Sequence, residues 1–370
     1  MIIDHVPSHI LRIQPYQPGK PIAEVQREQG LECVIKLASN ENPLGPSPKA
    51  VEVIKHNVEE LHYYPEDSGF YLKKRISDKF GVEPAMICLG NGSSEIIVNV
   101  GRAFLKPGDE VLTSEKSFVL YYLCGAYLGI PTVSAPMAGL AYDLDALAAR
   151  IGPATRVIFL ANPNNPTGTY FSRDALAKFL AVVPDDALVV LDEAYNEYIT
   201  EPDYPRGLDF LPRHPNLLVL HSFSKIYGLA GIRVGYGIGD PSVVDILNRV
   251  KLPFNANALG QDAATAALDD DAFVERSRKV NHEGLDFLHG FLASHGYAFQ
   301  RSVGNFVMVS LPVDGKVVAG LMEKQGVIVR PLRSFGIPNA IRVTAGVREE
   351  NERFAAAFHD VMSGLSSGGL

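Results

Sequence analysis

A lysine stands just after an apolar run, where residues 217–220 lead into Ser222, Ser224 and Lys225. In α/β proteins, ligands bind at the carboxyl ends of such strands. A lysine that loses its proton on burial can attack a carbonyl group and form a Schiff base. Arg233 follows on the same loop, where it could hold an anion together with Ser222. Taken alone, Lys225 fits a solvated surface lysine equally well, so the prediction depends on neighbouring motifs.

A second polar cluster follows residues 188–191, an apolar run that leads into Asp192 and Tyr195. A carboxylate at this edge of a sheet could keep a pyridinium nitrogen protonated, which an electron-accepting cofactor requires. The structural alternatives for Asp192 are a helix N-cap and an interdomain salt bridge.

A motif with two prolines and a glycine follows the predicted strand over residues 156–160. It spans residues 161–168, and its Asn165 could donate a hydrogen bond to a ligand oxygen. Such turns are common, so this motif predicts a site only in combination with the others.

A glycine-rich turn follows residues 86–89 and opens a predicted helix. At Gly92, Ser93 and Ser94 the exposed N–H groups and the helix dipole suit a phosphate. Glu95 occupies the place of the third glycine in a dinucleotide fingerprint, so the turn gives only weak support to a dinucleotide-binding fold.

The elements that position these motifs are short β-rich runs that alternate with helical stretches. Continuous apolar runs are typical of strands buried on both faces of a largely parallel sheet. The predicted strands are 86–89, 110–113, 131–134, 156–161, 188–192, 217–222 and 233–238. The predicted helices between them are 93–104, 118–128, 144–150 and 172–182. The pattern predicts an α/β fold in which the four motifs converge at strand ends of one sheet.

The domain organisation follows from a change of pattern after residue 250, where helices and short strands predict a smaller α+β domain over 251–362. The large domain is predicted over 49–250. Residues 1–48, rich in Pro and Gly, are predicted to be an N-terminal arm that forms part of the small domain. Residues 363–370 are predicted to be a flexible Ser/Gly tail.

In this order along the chain, the motifs resemble those of the fold-type I pyridoxal-phosphate-dependent aminotransferases, and within them the histidinol-phosphate aminotransferase family. The resemblance covers nearly the whole chain, from residues 15–20 and 36–48 to residues 341–344. It implies a large domain with a mostly parallel seven-stranded sheet and a smaller α+β domain.

The resemblance also implies a role for each motif residue toward pyridoxal 5'-phosphate. Lys225 resembles the lysine that binds the cofactor and moves the proton, and Asp192 the partner of the pyridine nitrogen. Asn165 and Tyr195 are implied to hydrogen-bond the cofactor's 3'-oxygen. The implied phosphate cup consists of Gly92, Ser93, Ser94, Ser222, Ser224 and Arg233.

Two aromatic residues complete the implied cofactor site. Phe118 falls where the family stacks an aromatic ring on the cofactor, and since many relatives carry Tyr or Trp there, stacking is implied without a hydrogen bond. Tyr64 lies in a turn that resembles the one from which the family contacts the neighbouring subunit's cofactor phosphate. The resemblance therefore implies a homodimer with Tyr64 supplied in trans.

Substrate binding is implied to rest on Arg342 and Arg330, joined by Tyr16 and Asn42. Two arginines suit bidentate, charge-assisted recognition of a phosphate dianion, although Arg330 could instead form a surface ion pair. The implied reaction is transamination of L-histidinol phosphate, a small phosphorylated amine, with 2-oxoglutarate. It gives imidazole-acetol phosphate and glutamate in histidine biosynthesis. No metal site is predicted.

The composition bears on the partners of the protein, its location and the presence of a membrane span. The 370 residues are 46% hydrophobic and 21% charged, with a net charge of −8, which argues against a nucleic-acid partner. Three cysteines without a close pair predict reduced thiols and a cytoplasmic location. Residues 117–142 are uncharged, but Gly129, Pro131 and Pro136 interrupt them, so no membrane span is predicted.

Other functions stay open at this point. Arg342 could bind a carboxylate, which would make the protein an aromatic amino-acid aminotransferase for phenylalanine or tyrosine. A threonine-phosphate decarboxylase would share the scaffold and the anion site. A regulator that binds the cofactor without catalysis would need a DNA-binding module, for which the stretch before Asn40 is too short and too rich in proline.

Overall fold

The computed structural model describes residues 1–15 and 18–367 of the chain. Its helices are α1 (Ser8–Leu11), α2 (Ile22–Gln29), α3 (Pro48–Asn57), α4 (Phe70–Phe80), α5 (Ser93–Phe104), α6 (Val119–Leu128), α7 (Leu144–Ala148), α8 (Arg173–Leu180), α9 (Pro241–Val250), α10 (Ala258–Ala267), α11 (Asp271–Ser294), α12 (Gly315–Lys324) and α13 (Arg348–Ser367). Its strands are β1 (Ile35–Lys36), β2 (Ile87–Gly90), β3 (Glu110–Ser114), β4 (Thr132–Ala135), β5 (Met137–Ala138), β6 (Ala141–Tyr142), β7 (Thr155–Ala161), β8 (Leu188–Asp192), β9 (Leu217–Ser222), β10 (Gly235–Gly239), β11 (Phe299–Gln300), β12 (Phe306–Ser310), β13 (Val327–Ile328), β14 (Arg330–Pro331) and β15 (Ala340–Thr344).

Within the described residues, seven strands form the central sheet in the order β2-β10-β9-β8-β7-β3-β4. Strand β10 runs antiparallel to both of its neighbours, and the remaining pairs are parallel. The apolar strands β8 and β9 are buried at every position, as expected where helices cover both faces of a sheet. Each predicted strand overlaps one of these seven, which confirms the α/β fold with a mostly parallel sheet.

The helices that follow the strands begin at residues suited to that position. Helix α5 starts directly after Gly92, which has a positive φ of 75°, and its bounds are those predicted from the sequence. Ser172 caps α8 by accepting a hydrogen bond from the backbone N–H of Ala175 at 3.3 Å. These caps set where each helix begins relative to the sheet edge.

A second, smaller body is built from both ends of the chain. Strands β11-β12-β15-β14 form its antiparallel sheet, and β1 pairs in parallel with β13. Leu37, next to β1, is buried in the same hydrophobic cluster as the inner faces of α11, α12 and α13. The segment before α3 is thereby fixed between the small body and the large one.

Two of the predicted boundaries differ from the structure. Helix α10 lies in the predicted small domain, but Ala263 and Ala264 are buried in the hydrophobic cluster of the central sheet, where α10 packs on α3. The predicted tail is also wrong over residues 363–367, because α13 continues to Ser367 with Leu365 packed against the small core. Residues 368–370 lie outside the described part.

The uncharged segment 117–142 forms α6 and the short strands β4, β5 and β6. Across the described ranges 1–15 and 18–367, the helices all lack the length or the apolar character needed to cross a bilayer.

Candidate active site

A cavity of about 270 Å³ lies at the carboxyl ends of β7, β8 and β9. The predicted residues that line it are Gly92, Ser93, Ser94, Phe118, Asn165, Asp192, Tyr195, Ser222, Ser224, Lys225 and Arg233. The further lining residues are Ser39, Glu41, Tyr121, Ala161, Pro163, Ala194 and Ala230. The structure thus brings the four sequence motifs together around one space.

Lys225 lies on the loop after β9, and its Nζ donates a hydrogen bond to the backbone oxygen of Ser39 at 3.2 Å. Burial, together with the positive charges of Arg342 and Arg233, lowers the pKa of Lys225 from 10.5 to about 8. Glu41 acts in the opposite direction by favouring the charged amine. A substantial fraction of the amine is therefore neutral near pH 8, as a nucleophile or base requires.

Asp192 is the last residue of β8, and its carboxylate is buried. Its Oδ2 accepts a hydrogen bond from the hydroxyl of Tyr121 at 2.9 Å, and its Oδ1 accepts one from the backbone N–H of Ala194 at 3.2 Å. Burial raises the pKa of Asp192, and these two donors oppose that rise. The carboxylate is oriented by its neighbours at the edge of the sheet.

Asn165 and Tyr195 stand beside Lys225, and each is held by a residue from another part of the chain. The Oδ1 of Asn165 accepts a hydrogen bond from the guanidinium of Arg342. The hydroxyl oxygen of Tyr195 accepts one from the Nδ2 of Asn40 at 2.9 Å. Asn165 and Tyr195 each carry a donor, an NH2 group and a phenolic O–H, of the kind that hydrogen-bonds a ligand oxygen.

The predicted phosphate cup forms where β2, β9 and β10 meet. Gly235 of β10 pairs with Ser222 on one side and with Gly90 on the other, so only β10 separates the end of β9 from the end of β2, after which α5 begins. A Cβ atom on Gly92 would lie 2.5 Å from a terminal nitrogen of Arg233, so glycine is needed for the guanidinium to approach the helix start. Helix N–H groups, serine hydroxyls and one arginine together form a site for an anion.

Phe118 lines the cavity at the residue preceding α6, where it is half-buried. Its ring meets that of Tyr121 edge-on, with the centroids 5.6 Å apart. The apolar face that was predicted to stack on a cofactor ring therefore lies at the cavity.

Arg330 and Arg342 lie opposite each other on the neighbouring strands β14 and β15, and both are buried. Arg342 also donates to the backbone oxygen of Ala38 at 2.7 Å and lies over the ring of Phe306. Its bond to Asn165 connects this pair of arginines to the cavity wall. Two adjacent guanidinium groups beside the cavity suit an anionic substrate group.

Of the predicted residues that the structure describes, four are not among those that line the cavity, namely Asn42, Tyr64, Arg330 and Arg342. The Nδ2 of Asn42 donates to the backbone oxygen of Ile226 at 2.7 Å and to Ser277 at 2.9 Å, so in this structure its amide holds the loop next to Lys225, and its contact with a substrate stays a prediction. Tyr64 is 82% exposed and stacks on Phe254 away from the cavity of its own chain. Tyr16 lies outside the described residues.

Comparison with known proteins identifies the family of the chain. The model of the family "Aminotransferase class I and II" matches residues 32–358. The chain belongs to this aminotransferase family.

Relatives of this aminotransferase share sequence over nearly their full length. Histidinol-phosphate aminotransferase 2 of Pseudomonas aeruginosa is 46% identical over 356 residues, which cover 96% of each protein. Histidinol-phosphate aminotransferase of an Anaeromyxobacter species is 47% identical, over 96% of this chain and 99% of the relative. The crystal structure of histidinol-phosphate aminotransferase from Sinorhizobium meliloti in complex with pyridoxal-5'-phosphate matches with a TM-score of 0.89 at 27% identity, over 97% of each chain.

The aminotransferase also uses residues that the sequence motifs did not single out. Asn40, with a positive φ of 56°, orients Tyr195 and receives a hydrogen bond on its backbone oxygen from Asn305. Glu41 brings a second carboxylate to the cavity, paired with Lys36 at 2.7 Å. The only available signal was their place in the segment 36–48, which the family resemblance includes. Tyr121 could have been found from its place one helical turn after Phe118.

Proposed function

We propose that this aminotransferase binds pyridoxal 5'-phosphate and transfers the amino group of L-histidinol phosphate to 2-oxoglutarate, which gives imidazole-acetol phosphate and glutamate in histidine biosynthesis. The observation that carries the proposal is the convergence of Lys225, Asp192 and an anion cup in one cavity, with a pair of buried arginines beside it. Each group suits a different part of the cofactor or the substrate.

The residues present fit pyridoxal phosphate. The space that a side chain at Gly92 would fill is taken by the guanidinium of Arg233, so positive charge lies directly at the start of α5. The phosphate of pyridoxal phosphate would be held at the start of α5. Asp192 would hold the ring nitrogen of the cofactor, and Asn165 and Tyr195 would hold its 3'-oxygen. When bound, this cofactor supplies an aldehyde that takes up the amino group and a ring that accepts an electron pair.

The residues of the chain would bind and orient the reacting groups and would move protons to and from them. Lys225 Nζ, neutral in part because its pKa is about 8, can take a proton from the substrate carbon that bears the amino group. Asp192 offers a negative charge to a protonated ring nitrogen, which favours electron withdrawal into the ring. Tyr195 and Asn165 would hold the cofactor by donating hydrogen bonds to its 3'-oxygen.

The substrate class follows from the two arginines. A carboxylate is satisfied by Arg342 alone, whereas a phosphate dianion has enough charge and enough acceptor oxygens for both Arg342 and Arg330. The register that places the two residues side by side supports a phosphorylated substrate. An aromatic amino-acid aminotransferase is the second candidate, because Arg342 serves its carboxylate equally well. A threonine-phosphate decarboxylase would use the same two arginines.

A homodimer is part of the proposal. Tyr64 belongs to a group of large apolar side chains that are exposed in residues 61–71 and 252–254, and it stacks on Phe254. A single chain rarely exposes so many large apolar side chains. This group consists of Leu61, Tyr63, Tyr64, Phe70, Tyr71, Leu252 and Phe254. We propose that a second copy of the chain covers it and receives Tyr64 at its own phosphate cup. A cytoplasmic location stays a prediction from the cysteine content.

The experiment compares kcat/KM for L-histidinol phosphate and L-phenylalanine, each with 2-oxoglutarate. The wild type is expected to prefer histidinol phosphate. Arg330→Ala is expected to lower kcat/KM for histidinol phosphate by about 100-fold, because a charge-assisted bidentate contact is lost, and to change that for phenylalanine far less.

The matched control is Arg333→Ala, because Arg333 is an exposed arginine paired with Asp314. It is expected to leave both substrates unaffected. A preference for phenylalanine, with Arg330→Ala equally harmless for both substrates, would establish the aromatic amino-acid function instead. Release of carbon dioxide from threonine phosphate would identify the decarboxylase.

A further inference from the structure

We propose that Tyr121 is a positioning residue for Asp192. The hydroxyl of Tyr121 holds the carboxylate of Asp192 toward the ring nitrogen of the cofactor. This inference rests on the proposed function, because it assigns a task to Asp192 that only a bound cofactor gives. Neither the motifs nor the family resemblance pointed to Tyr121.

The hydroxyl of Tyr121 reaches the carboxylate of Asp192 from helix α6. The side chain lies in the first turn of α6 and is fully buried, with its hydroxyl 2.9 Å from Oδ2 of Asp192. The bond spans from α6 to the end of β8, two elements that are far apart in sequence. A buried hydroxyl bonded to a carboxylate is a charge-assisted contact, which is stronger than one between neutral groups.

The ring of Tyr121 contacts two aromatic neighbours. It stacks on Phe159 of β7 with centroids 4.8 Å apart and planes only 2° from parallel. Phe118 meets it at 86°, so Tyr121 also supports the residue placed to stack on the cofactor. The hydroxyl therefore has little freedom to leave Asp192, and one side chain sets the position of two cofactor contacts.

The donor stays protonated across the working range of an enzyme. Burial and the nearby carboxylate raise the pKa of Tyr121 well above 10, so its proton remains on the phenol and points to the carboxylate. The other titratable groups that act on Asp192 are His221 from β9, Lys225 from the following loop and Tyr204. Of these neighbours, Tyr121 is the one with a hydrogen bond to the carboxylate among the described contacts.

Tyr121→Phe keeps the stacked ring and removes only the hydroxyl. We expect the dissociation constant of pyridoxal phosphate, measured by titrating the apoprotein, to rise about 10-fold, and kcat to fall by a similar factor, because a hydrogen bond to a buried charge is lost. The KM for histidinol phosphate should hardly change. The acid limb of kcat should move to higher pH, because Asp192 then keeps its proton more tightly.

Two controls separate positioning from folding. Tyr142 is also buried, but its hydroxyl contacts Ser117 at 2.7 Å rather than Asp192, so Tyr142→Phe should keep cofactor affinity within about twofold. In an Asp192→Asn background, Tyr121→Phe should have little further effect, because its partner charge is already gone.

The outcomes distinguish this inference from the proposed function. A wild type that takes up no pyridoxal phosphate would overturn the proposed function. A wild type that binds the cofactor and transaminates, with Tyr121→Phe unchanged in affinity and in pH profile, would overturn the inference alone. Losses that simply add in the Tyr121→Phe, Asp192→Asn double variant would also overturn it, because they would show that Tyr121 acts independently of Asp192.

Discussion

Two substitutions near Lys225 are predicted to shift its pKa in opposite directions. Burial and the charges of Arg342 and Arg233 lower the pKa of this lysine to about 8, and Glu41 opposes them. Arg342→Gln removes a positive charge and should raise the pKa of Lys225. Glu41→Gln removes a negative charge and should lower it.

The magnitudes follow from the fraction of neutral amine. At pH 7.5 a lysine with a pKa of 8 is about one quarter neutral, roughly 200-fold more than a lysine with an ordinary pKa of 10.5. Glu41→Gln can therefore raise the neutral fraction at this pH by at most about fourfold, because one quarter is already present. Arg342→Gln has no such limit and should lower the fraction at least about threefold.

The assay is competitive labelling of the apoprotein with dilute acetic anhydride from pH 6 to pH 10, with peptide mass spectrometry to follow Lys225. The exposed Lys279, whose side chain is 73% accessible, serves as the internal reference. Arg342→Lys keeps the positive charge and is the matched control, expected to titrate close to the wild type. A wild-type midpoint near 10.5, or a shift of both charge-removing variants in the same direction, would show that burial and these charges do not control the pKa of Lys225.

Two further predictions concern the assembly and the fold. If Tyr64 acts in trans, mixed dimers of Tyr64→Ala and Lys225→Ala chains contain one complete site and recover activity that neither homodimer has; no recovery on co-expression would place Tyr64 in its own chain's site. Gly228→Ala should lower the free energy of unfolding by about 3 kcal/mol or more, because its φ is +69° and a Cβ atom would lie 2.0 Å from the backbone oxygen of Gly45. Gly296→Ala, with a φ of +71° and no neighbour within 4 Å, should cost only about 1 kcal/mol, and urea denaturation of both variants measures the difference.

The strand ends could be predicted from the sequence because the signal is local. A continuous apolar run marks a strand buried on both faces, and the polar residue after it must lie at the sheet edge. Asp192 and Ser222 are the last residues of β8 and β9, and Asn165 follows β7 closely, as the motifs indicated. The sheet then brings these residues together without further information.

The contacts that orient those residues could not be predicted, because they join distant parts of the chain. Asn40 holds Tyr195, and Arg342 holds Asn165, only after the small body has packed against the large one. Asn42 looked like a ligand residue in its motif, yet its amide is used to fix the loop beside Lys225. Motifs alone cannot separate side chains that bind a ligand from those that hold the backbone around it.

The domain boundary was predicted incorrectly for a similar reason. Helix α10 consists largely of small residues, and it packs on α3 in a core to which it contributes Ala263, Ala264 and Ala267 rather than a pattern of large apolar side chains. A change in sequence texture after residue 250 therefore did not coincide with the change of hydrophobic core. Helix α13 likewise extends through a Ser- and Gly-rich stretch because Leu365 still reaches the small core.

The proposed function requires that Lys225 hold pyridoxal phosphate and release it to the substrate. The direct measurement is borohydride reduction of the protein with bound cofactor, followed by peptide mass spectrometry. We predict a cofactor-derived mass on Lys225, lost in Lys225→Ala and prevented by prior incubation with L-histidinol phosphate, which displaces the lysine. A protein that binds no cofactor, or a label on Lys225 that histidinol phosphate leaves unchanged, would contradict the proposed role of Lys225.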